Sequence, residues 1–372
     1  MQPDFQRDVY CVLGLPFDAV SEAGAADWLQ RAVSNRVRCF FSTPNLNFAV
    51  ACLRDGEFRA SVLQSDLSLA DGWPIVAIAH FLGVPLPERV AGSSLFERLG
   101  SRSTAAPIKV YFFGGPDGAA EAACVRLNSS ASGLRCAGFD APGFGTIEEM
   151  SDTARLDRLN AADADFVVVA LGAKKGQAWI QHNLSRISAP LVCHLGAVVN
   201  FAAGTIARAP TWVQNLRLEW LWRMKEEPAL WRRYARDGWA LLYWVIARVL
   251  PLALALRLAR PSQAALSSAQ VVVESTADRT TIRLEGPWVH GNLQPLRDVL
   301  QAQMEPMRPL ALDLAKVSYL DSSAVGLLML VHGWNLRLGS THTVTDTSRT
   351  ARRMLRWAGA EYLLGCADDA SH

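Results

Sequence analysis

The stretch Val110-Tyr-Phe-Phe-Gly-Gly-Pro-Asp-Gly-Ala-Ala-Glu-Ala-Ala-Cys-Val-Arg-Leu127 decides the fold class. An apolar run, a glycine turn and the start of a helix follow one another without interruption, as where a strand feeds a helix. Similar apolar runs recur at Val37–Phe41, Phe166–Leu171 and Leu191–Leu195, separated by amphipathic stretches. Strands that alternate with helices imply a parallel sheet covered on both faces, an α/β fold. Such sheets hold ligands at the carboxyl ends of their strands, so the loops STPNLN, GGPDG, GAKKGQ and GAVVN are where chemistry is expected. The amides of Gly115 to Gly118 suit an anion. An ordinary αβ turn explains the same residues, and the spacing matches neither a dinucleotide fingerprint nor a P-loop.

The chain has 372 residues, half of them hydrophobic, enough for two domains with sizeable cores. Its start, MQPDFQRDVYCVLG, lacks the basic region and apolar stretch of a secretory signal, which points to the cytoplasm or the inner membrane face. Seven scattered cysteines without a C-x-x-C pair argue against a disulfide framework or a zinc site, and read as small buried apolar residues. The seven histidines form no metal-ligand pattern, so no metal centre is expected.

The basic charge is concentrated. Residues 207–260 carry ten Lys or Arg against four Asp or Glu, and six of the twelve tryptophans. Arginine and tryptophan at near-helical spacing, followed by the apolar run Trp239–Leu256, fit a helix lying on a membrane surface. Leu216, Trp220 and Met224 fit the core face of an ordinary buried helix as well. Arg248 and Pro251 interrupt the run, which favours interfacial embedding over a span. Basic residues interleaved with long apolar runs argue against nucleic acid. An appendage of this kind is expected to be removable at 239–256 with the core left folded.

Residues 261–268 read as a linker, and 269–372 as a second unit: a hairpin at Val271–Glu274 and Thr280–Leu284, helices at Leu293–Met304, Ser322–Leu336 and Ser348–Ala358, and a strand at Pro309–Leu314.

Within 1–206, polar residues cluster in TPNLNFAVACL, SDLSLADGWP and ERVAG. Asp71 near Arg89, with Thr43 and Asn45, is what a sugar-nucleotide transferase needs: a base for the acceptor hydroxyl and a cation for the departing diphosphate. In isolation Asp71-Gly72 reads more simply as a turn, and Thr43 and Asn45 as helix caps.

The blocks TPN, ADGWP, PERVAG, FFGGPDG, ALGAKK and GTIARAPTWVQNLRLEWLWRMKEEPALWRRY, in this order, resemble the WecG/TagA/CpsF glycosyltransferases over about residues 8 to 240. The resemblance implies a Rossmann-like core and inverting transfer of an N-acetylmannosamine-, glucose- or uronic-acid-type sugar. The donor would be a UDP-sugar, no metal would be required, and the acceptor would be polyprenyl-diphosphate-linked, at the cytoplasmic membrane face. It implies Asp71 as base, Thr43 and Asn45 as a polar pair and Arg89 beside the diphosphate. Gly114, Gly115, Gly172, Lys175, Gln177, Asn200, Arg217, Arg223, Arg232 and Arg233 become candidates for the nucleotide or a lipid phosphate. Two departures matter: Gly176 and Gln177 stand where the family has Gln and an acidic residue, and Val199-Asn200 where it has Phe-Asp. They leave a catalytically inactive membrane scaffold as the competing reading. The family also suggests self-association.

ALDLAKVSYLDSSAVGLLMLVHGWNLRLG followed by TSRTARRMLRWAGAEYLL resembles a STAS domain of the anti-sigma-factor-antagonist kind. That implies a protein partner or kinase acting at Ser322 or Ser323, with aspartate tolerated there; Asp321 as a plain helix cap is the alternative.

Overall fold

In a computed structural model, residues 4–102, 106–130, 132–205, 210, 213, 219–226, 231–275, 280–303, 310–340 and 343–365 are described. Strands β3 (Cys39–Ser42), β4 (Leu67–Ser68), β5 (Ile108–Gly114), β6 (Leu134–Asp140), β7 (Phe166–Ala170) and β8 (Leu191–His194) form a parallel sheet in the order β4-β3-β8-β7-β5-β6. Both faces are covered, which explains continuous apolar strands. Cys39, Phe41, Val110, Phe112, Phe166 and Val168 point to one face, towards helices α1 (Glu22–Ser34), α5 (Gly92–Gly100), α6 (Ala119–Ser129) and α9 (Gly196–Ala203). Their neighbours Phe40, Tyr111, Phe113, Val167, Val169 and Val192 point to the other, towards α7 (Thr153–Ala161) and α8 (Ala173–Asn183). A period of two therefore splits each strand between two cores. Cys124 of α6 and Cys136 of β6 are joined as a disulfide with Cα atoms 5.0 Å apart, which corrects the reading of all seven cysteines as unpaired.

Three further helices, α2 (Leu46–Cys52), α3 (Gly56–Leu63) and α4 (Trp73–Phe81), pack against a ribbon that the sequence patterning does not reveal. Its strands β1 (Val9–Val12) and β2 (Leu15–Asp18) pair antiparallel. Strand β1 serves two cores. Tyr10 and Val12 enter the cluster with α2, α3 and α4, whereas Val9 and Cys11 enter the core of the C-terminal unit.

That C-terminal unit holds a sheet in the order β12-β11-β10-β9, built from β9 (Gln270–Ser275), β10 (Thr280–Trp288), β11 (Leu310–Leu320) and β12 (Val344–Thr347), with β9 antiparallel and the rest parallel. The hairpin and the helices occur where the sequence puts them, and β11 runs six residues past Leu314 because Val317, Tyr319 and Leu320 are buried.

Its long helix, Ser322–Arg337, is buried at every position from Ser322 to Asn335. A helix apolar all round needs cover on both sides, and here its own sheet covers one side and β1, β2 and α3 the other. The contact is backbone-close. A Cβ on Gly326 would lie 2.3 Å from the Val9 carbonyl oxygen, and one on Gly333 would lie 2.2 Å from that of Leu63. Ser322 Oγ donates to the Cys11 carbonyl at 2.6 Å, and Ser323 is 1% exposed. Asp321 caps the helix, accepting from Ala324 N at 2.8 Å, as the simpler reading has it.

Two expectations are corrected here. Ser322 and Ser323 do not face a kinase or a partner, because both are buried and the chain's own β1 occupies that surface, with Ser322 bonded to the Cys11 carbonyl. Nor is 261–268 a free linker between independent units: Gln263–Ser267 is a helical turn whose Leu266 carbonyl accepts from Asn292, and the second unit's core contains Phe5, Val9, Cys11 and Leu63.

The apolar run belongs to a helix of 28 residues, Trp231–Leu258, long and apolar enough to cross a membrane. It widens into a π turn at Val245–Val249 just before Pro251, which cannot donate a backbone hydrogen bond. One side packs on the protein, with Trp244 and Val249 among the residues around α2–α4 and Leu252 in the C-terminal core. The other side exposes Trp239, Leu242, Tyr243, Ile246, Leu250, Leu254 and Leu258. Deleting 239–256 would therefore open both cores, which corrects the expectation of a removable appendage. Of the buried-helix residues, Trp220 is 46% exposed and Leu216 lies outside the described residues.

Alanine normally favours a helix interior over glycine by about 1 kcal/mol. At Gly326 and Gly333 the sign should reverse. Gly326→Ala and Gly333→Ala are each expected to destabilise the protein by roughly 1–3 kcal/mol, read as a lowered midpoint in calorimetry; an unchanged or raised midpoint would contradict the close docking.

Candidate active site

Helices α2 and α3, which follow β3, and α8, which follows β7, lie on one face of the large sheet, whereas α6, which follows β5, and α9, which follows β8, lie on the other. Adjacent strands whose connections leave in opposite directions open a crevice at their carboxyl ends. The candidate residues gather there. The Asp71 amide donates to the Pro44 carbonyl at 3.0 Å and the Val90 amide to that of Ala70 at 2.9 Å, so the loops carrying Thr43, Asp71 and Arg89 are laced edge to edge. A Cβ on Gly92 would touch Leu195 at 2.3 Å and Thr43 Oγ1 at 3.4 Å, which draws the start of α5 and the loop after β8 into the same group. Thr43 is 7% exposed. Asn45 caps α2, its Oδ1 accepting from Phe48 N at 3.1 Å, as the capping reading of that residue holds.

Arg89, 15% exposed, pairs with Glu219 at 2.9 Å. Glu219 begins helix α10 (Glu219–Glu226), so the appendage reaches the edge of the crevice. A second tie runs from Asn47, two residues past Asn45, whose Nδ2 donates to Asp237 Oδ2 at 3.0 Å. Asp237 is buried on the 28-residue helix, named α11 from here.

On the other flank, Gly114, Gly115 and Gly118 have φ of 91°, 101° and 74°, a conformation that excludes most side chains. Gly115 would meet Val199 at 3.2 Å if it carried a Cβ, which sets the glycine turn against α9. Between them lies a cleft of about 490 Å³ lined by Pro116, Asp117, Gly118, Ala119, Asn200 and Thr205. Gly172, at φ 80°, opens α8.

Other candidates sit elsewhere. Gln177 is 1% exposed and its amide donates to Ser42 Oγ at 2.9 Å, so it braces β3 from within the core and does not face the crevice. Lys175 donates to the Gly145 carbonyl. Arg232 and Arg233 lie near the start of α11, beside Trp231 and Tyr234. Arg217 and the side chain of Arg223 fall outside the described residues. Among the described residues, no three His, Cys, Asp or Glu side chains converge as a metal site would.

One residue escaped the sequence reading. His194 closes β8 at the crevice, with a buried Nε2 that has no hydrogen-bond partner among the described residues. A Cβ at Gly176 would approach its ring to 2.3 Å, so glycine at 176 and histidine at 194 are a matched pair. The signal was present: one polar residue ends an otherwise apolar strand, LVCH. Burial pushes its pKa down to about 4. The Cys193 thiol beside it is pushed well up, by burial first and then by the charge of Asp71.

An open α/β sheet whose carboxyl edge carries a carboxylate, a hydroxyl and an arginine on loops joined by backbone hydrogen bonds has the layout of a group-transfer enzyme. The chain belongs to the glycosyl transferase WecG/TagA/CpsF family, whose model matches residues 10–253, and it is a glycosyltransferase. Residues 271–365 match the Mlab, STAS domain model. Among similar proteins is an N-acetylglucosaminyldiphosphoundecaprenol N-acetyl-β-D-mannosaminyltransferase of Bacillus spizizenii, 26% identical over 52% of this chain and 74% of its own length. Proteins of the same description from Bacillus subtilis and Staphylococcus aureus are 23% and 22% identical, over 56% and 60% of this chain and 79% and 86% of their own lengths.

His332, buried against Thr343 in the C-terminal unit, is likewise lowered by burial to about 4. Both imidazoles have an ordinary value of 6.5, so as pH falls below it the unfolded chain takes up protons that the native one refuses. Stability is thus complete above about pH 6.5 and is lost towards pH 4, by up to about 1.4 kcal/mol per pH unit for each group. Thermal midpoints measured across that window should fall with acid and fall less steeply in His332→Gln; a flat profile in the parent protein would contradict this.

Proposed function

We propose that this protein transfers a sugar of the N-acetylmannosamine kind from a UDP-sugar to a polyprenyl-diphosphate-linked acceptor at the cytoplasmic face of the membrane, with inversion and without a metal. The acceptor chemistry is suggested by the relatives, whose names specify N-acetylglucosaminyldiphosphoundecaprenol. The observation that carries the reading is the lacing of the Thr43, Asp71 and Arg89 loops at the sheet's carboxyl edge, tied through Asn47 and Asp237 to a helix with an exposed apolar face.

In this reading the Asp71 carboxylate takes the proton of the acceptor hydroxyl. The oxygen bonds to the anomeric carbon as the bond to UDP breaks on the opposite side. Arg89 is freed from Glu219 as the donor arrives, and meets the negative charge that develops on the departing diphosphate. The glycine turn and Asn200 offer the nucleotide a cleft. Helix α11 lies in the membrane interface, with Arg232 and Arg236 before its apolar stripe and Arg257 and Arg260 after it, the pattern of an in-plane amphipathic helix. Its other side is covered by protein and holds Asp237 bonded to Asn47, an arrangement suited to lying on a bilayer and not to crossing one. The polyprenyl chain would then approach the crevice along the bilayer surface.

The test is transfer by the purified protein from a panel of UDP-sugars to a polyprenyl-diphosphate-linked N-acetylglucosamine acceptor, with the product anomer read by NMR. Asp71→Asn is expected to lower kcat by about 10²–10⁴ while donor binding persists. Wild-type turnover in that variant would remove Asp71 as base, and no turnover with any UDP-sugar would remove the reading.

A further inference from the structure

Helix Arg349–Ala358, the last long helix of the C-terminal unit, buries Ala351, Met354, Leu355 and Ala358 and exposes Arg349, Arg352, Arg353 and Arg356. Positions i, i+3, i+4 and i+7 share one face of a helix, so four guanidinium groups crowd together and repel one another. Little offsets them. Glu361 pairs with Arg356 at 2.9 Å and Arg353 lies over the Trp357 ring, but among the described residues no ion pair reaches Arg349, Arg352 or Arg353. Nothing in the sugar-transfer site uses these residues.

Their position gives them a use. The helix packs directly against the π turn and the following turns of α11, and Arg248 of α11 donates to the Arg356 carbonyl at 3.4 Å. The apolar stripe of α11 passes that contact, with Ile246, Leu250 and Leu254 60%, 45% and 59% exposed. An arginine face with a single ion pair among the described residues therefore stands beside an apolar stripe. Apolar side chains suit the acyl boundary of a bilayer, and clustered arginines suit the phosphates of anionic headgroups.

We infer that the Arg349–Ala358 helix reads anionic lipid. The STAS unit turns its Asp321-Ser322-Ser323 helix start inward onto β1 and uses its arginine face against anionic phospholipid headgroups of the bilayer on which α11 lies. The inference rests on the interfacial reading of α11. It makes the C-terminal unit a membrane-docking element, so that seating of the transferase depends on anionic lipid content.

The experiment is co-sedimentation of the purified full chain with phosphatidylcholine vesicles, with and without phosphatidylglycerol, at low and high salt. The parent protein is expected to favour the phosphatidylglycerol vesicles and to lose that preference in high salt. Combined Arg349→Gln, Arg352→Gln and Arg353→Gln should lower partitioning onto them on the order of a hundredfold, at about 1 kcal/mol for each arginine, and leave binding to phosphatidylcholine alone unchanged. Circular dichroism confirms that these surface replacements fold. A second variant, Ile246→Ser with Leu250→Ser and Leu254→Ser, separates the two readings. It should lose both vesicle types; if it still binds phosphatidylglycerol vesicles in an arginine-dependent way, the α11 reading falls and the arginine face stands. The inference is overturned if the parent shows no anionic preference, or if the triple glutamine variant keeps it. It is overturned also if the glutamines abolish retention of poly-uridylate while vesicle binding persists.

Discussion

Strand β1 is the constraint on which the rest of the molecule depends. Four residues, Val9 to Val12, alternate between two hydrophobic cores, so neither core is complete without the other. The helix Ser322–Arg337 comes close enough to this ribbon that only glycine fits at 326 and 333. Polar ties follow the same seam. Arg337 donates to Asp66, whose other oxygen accepts from the Phe40 amide at the start of β3, and Tyr362 donates to the Gly14 carbonyl. The C-terminal unit thus bears on the strand whose far end carries Thr43.

That coupling changes which surfaces the STAS fold exposes in this chain. A helix start that reads as an accessible switch is instead a buried contact, with Ser322 bonded to the backbone of β1. The exposed surfaces of the unit include the arginine helix, which packs next to α11. Helix α11 in turn is sandwiched by function as well as by packing: Asp237 reaches Asn47 near the crevice, Trp244 and Leu252 fill two cores, and the remaining side is apolar and exposed.

Much of the site was legible because each polar candidate follows an apolar strand or sits in a turn, and the sheet's parallel order sends such loops to one edge. Thr43, Asp71 and Arg89 lie within loops that hydrogen-bond to one another through their backbones. Gln177 was misplaced because spacing along a helix does not say which side faces the core, and its amide turned out to brace Ser42. His194 was overlooked because its significance lies in what surrounds it, a missing side chain at Gly176 and a ring nitrogen with no partner among the described residues.

The sequence by itself determined the elements: apolar runs of period two or continuous hydrophobicity made the strands, glycine and capping residues ended them, and arginine with tryptophan marked the amphipathic helix. These are properties of neighbours in the chain, set by local sterics and by the need to bury apolar surface. Which surfaces remain free was decided only by the tertiary structure. An exposed serine and a serine bonded to Cys11 have the same sequence, and an apolar stripe becomes an outer face only when the opposite side finds a core. Burial depends on residues hundreds of positions apart, and no local pattern carries that information.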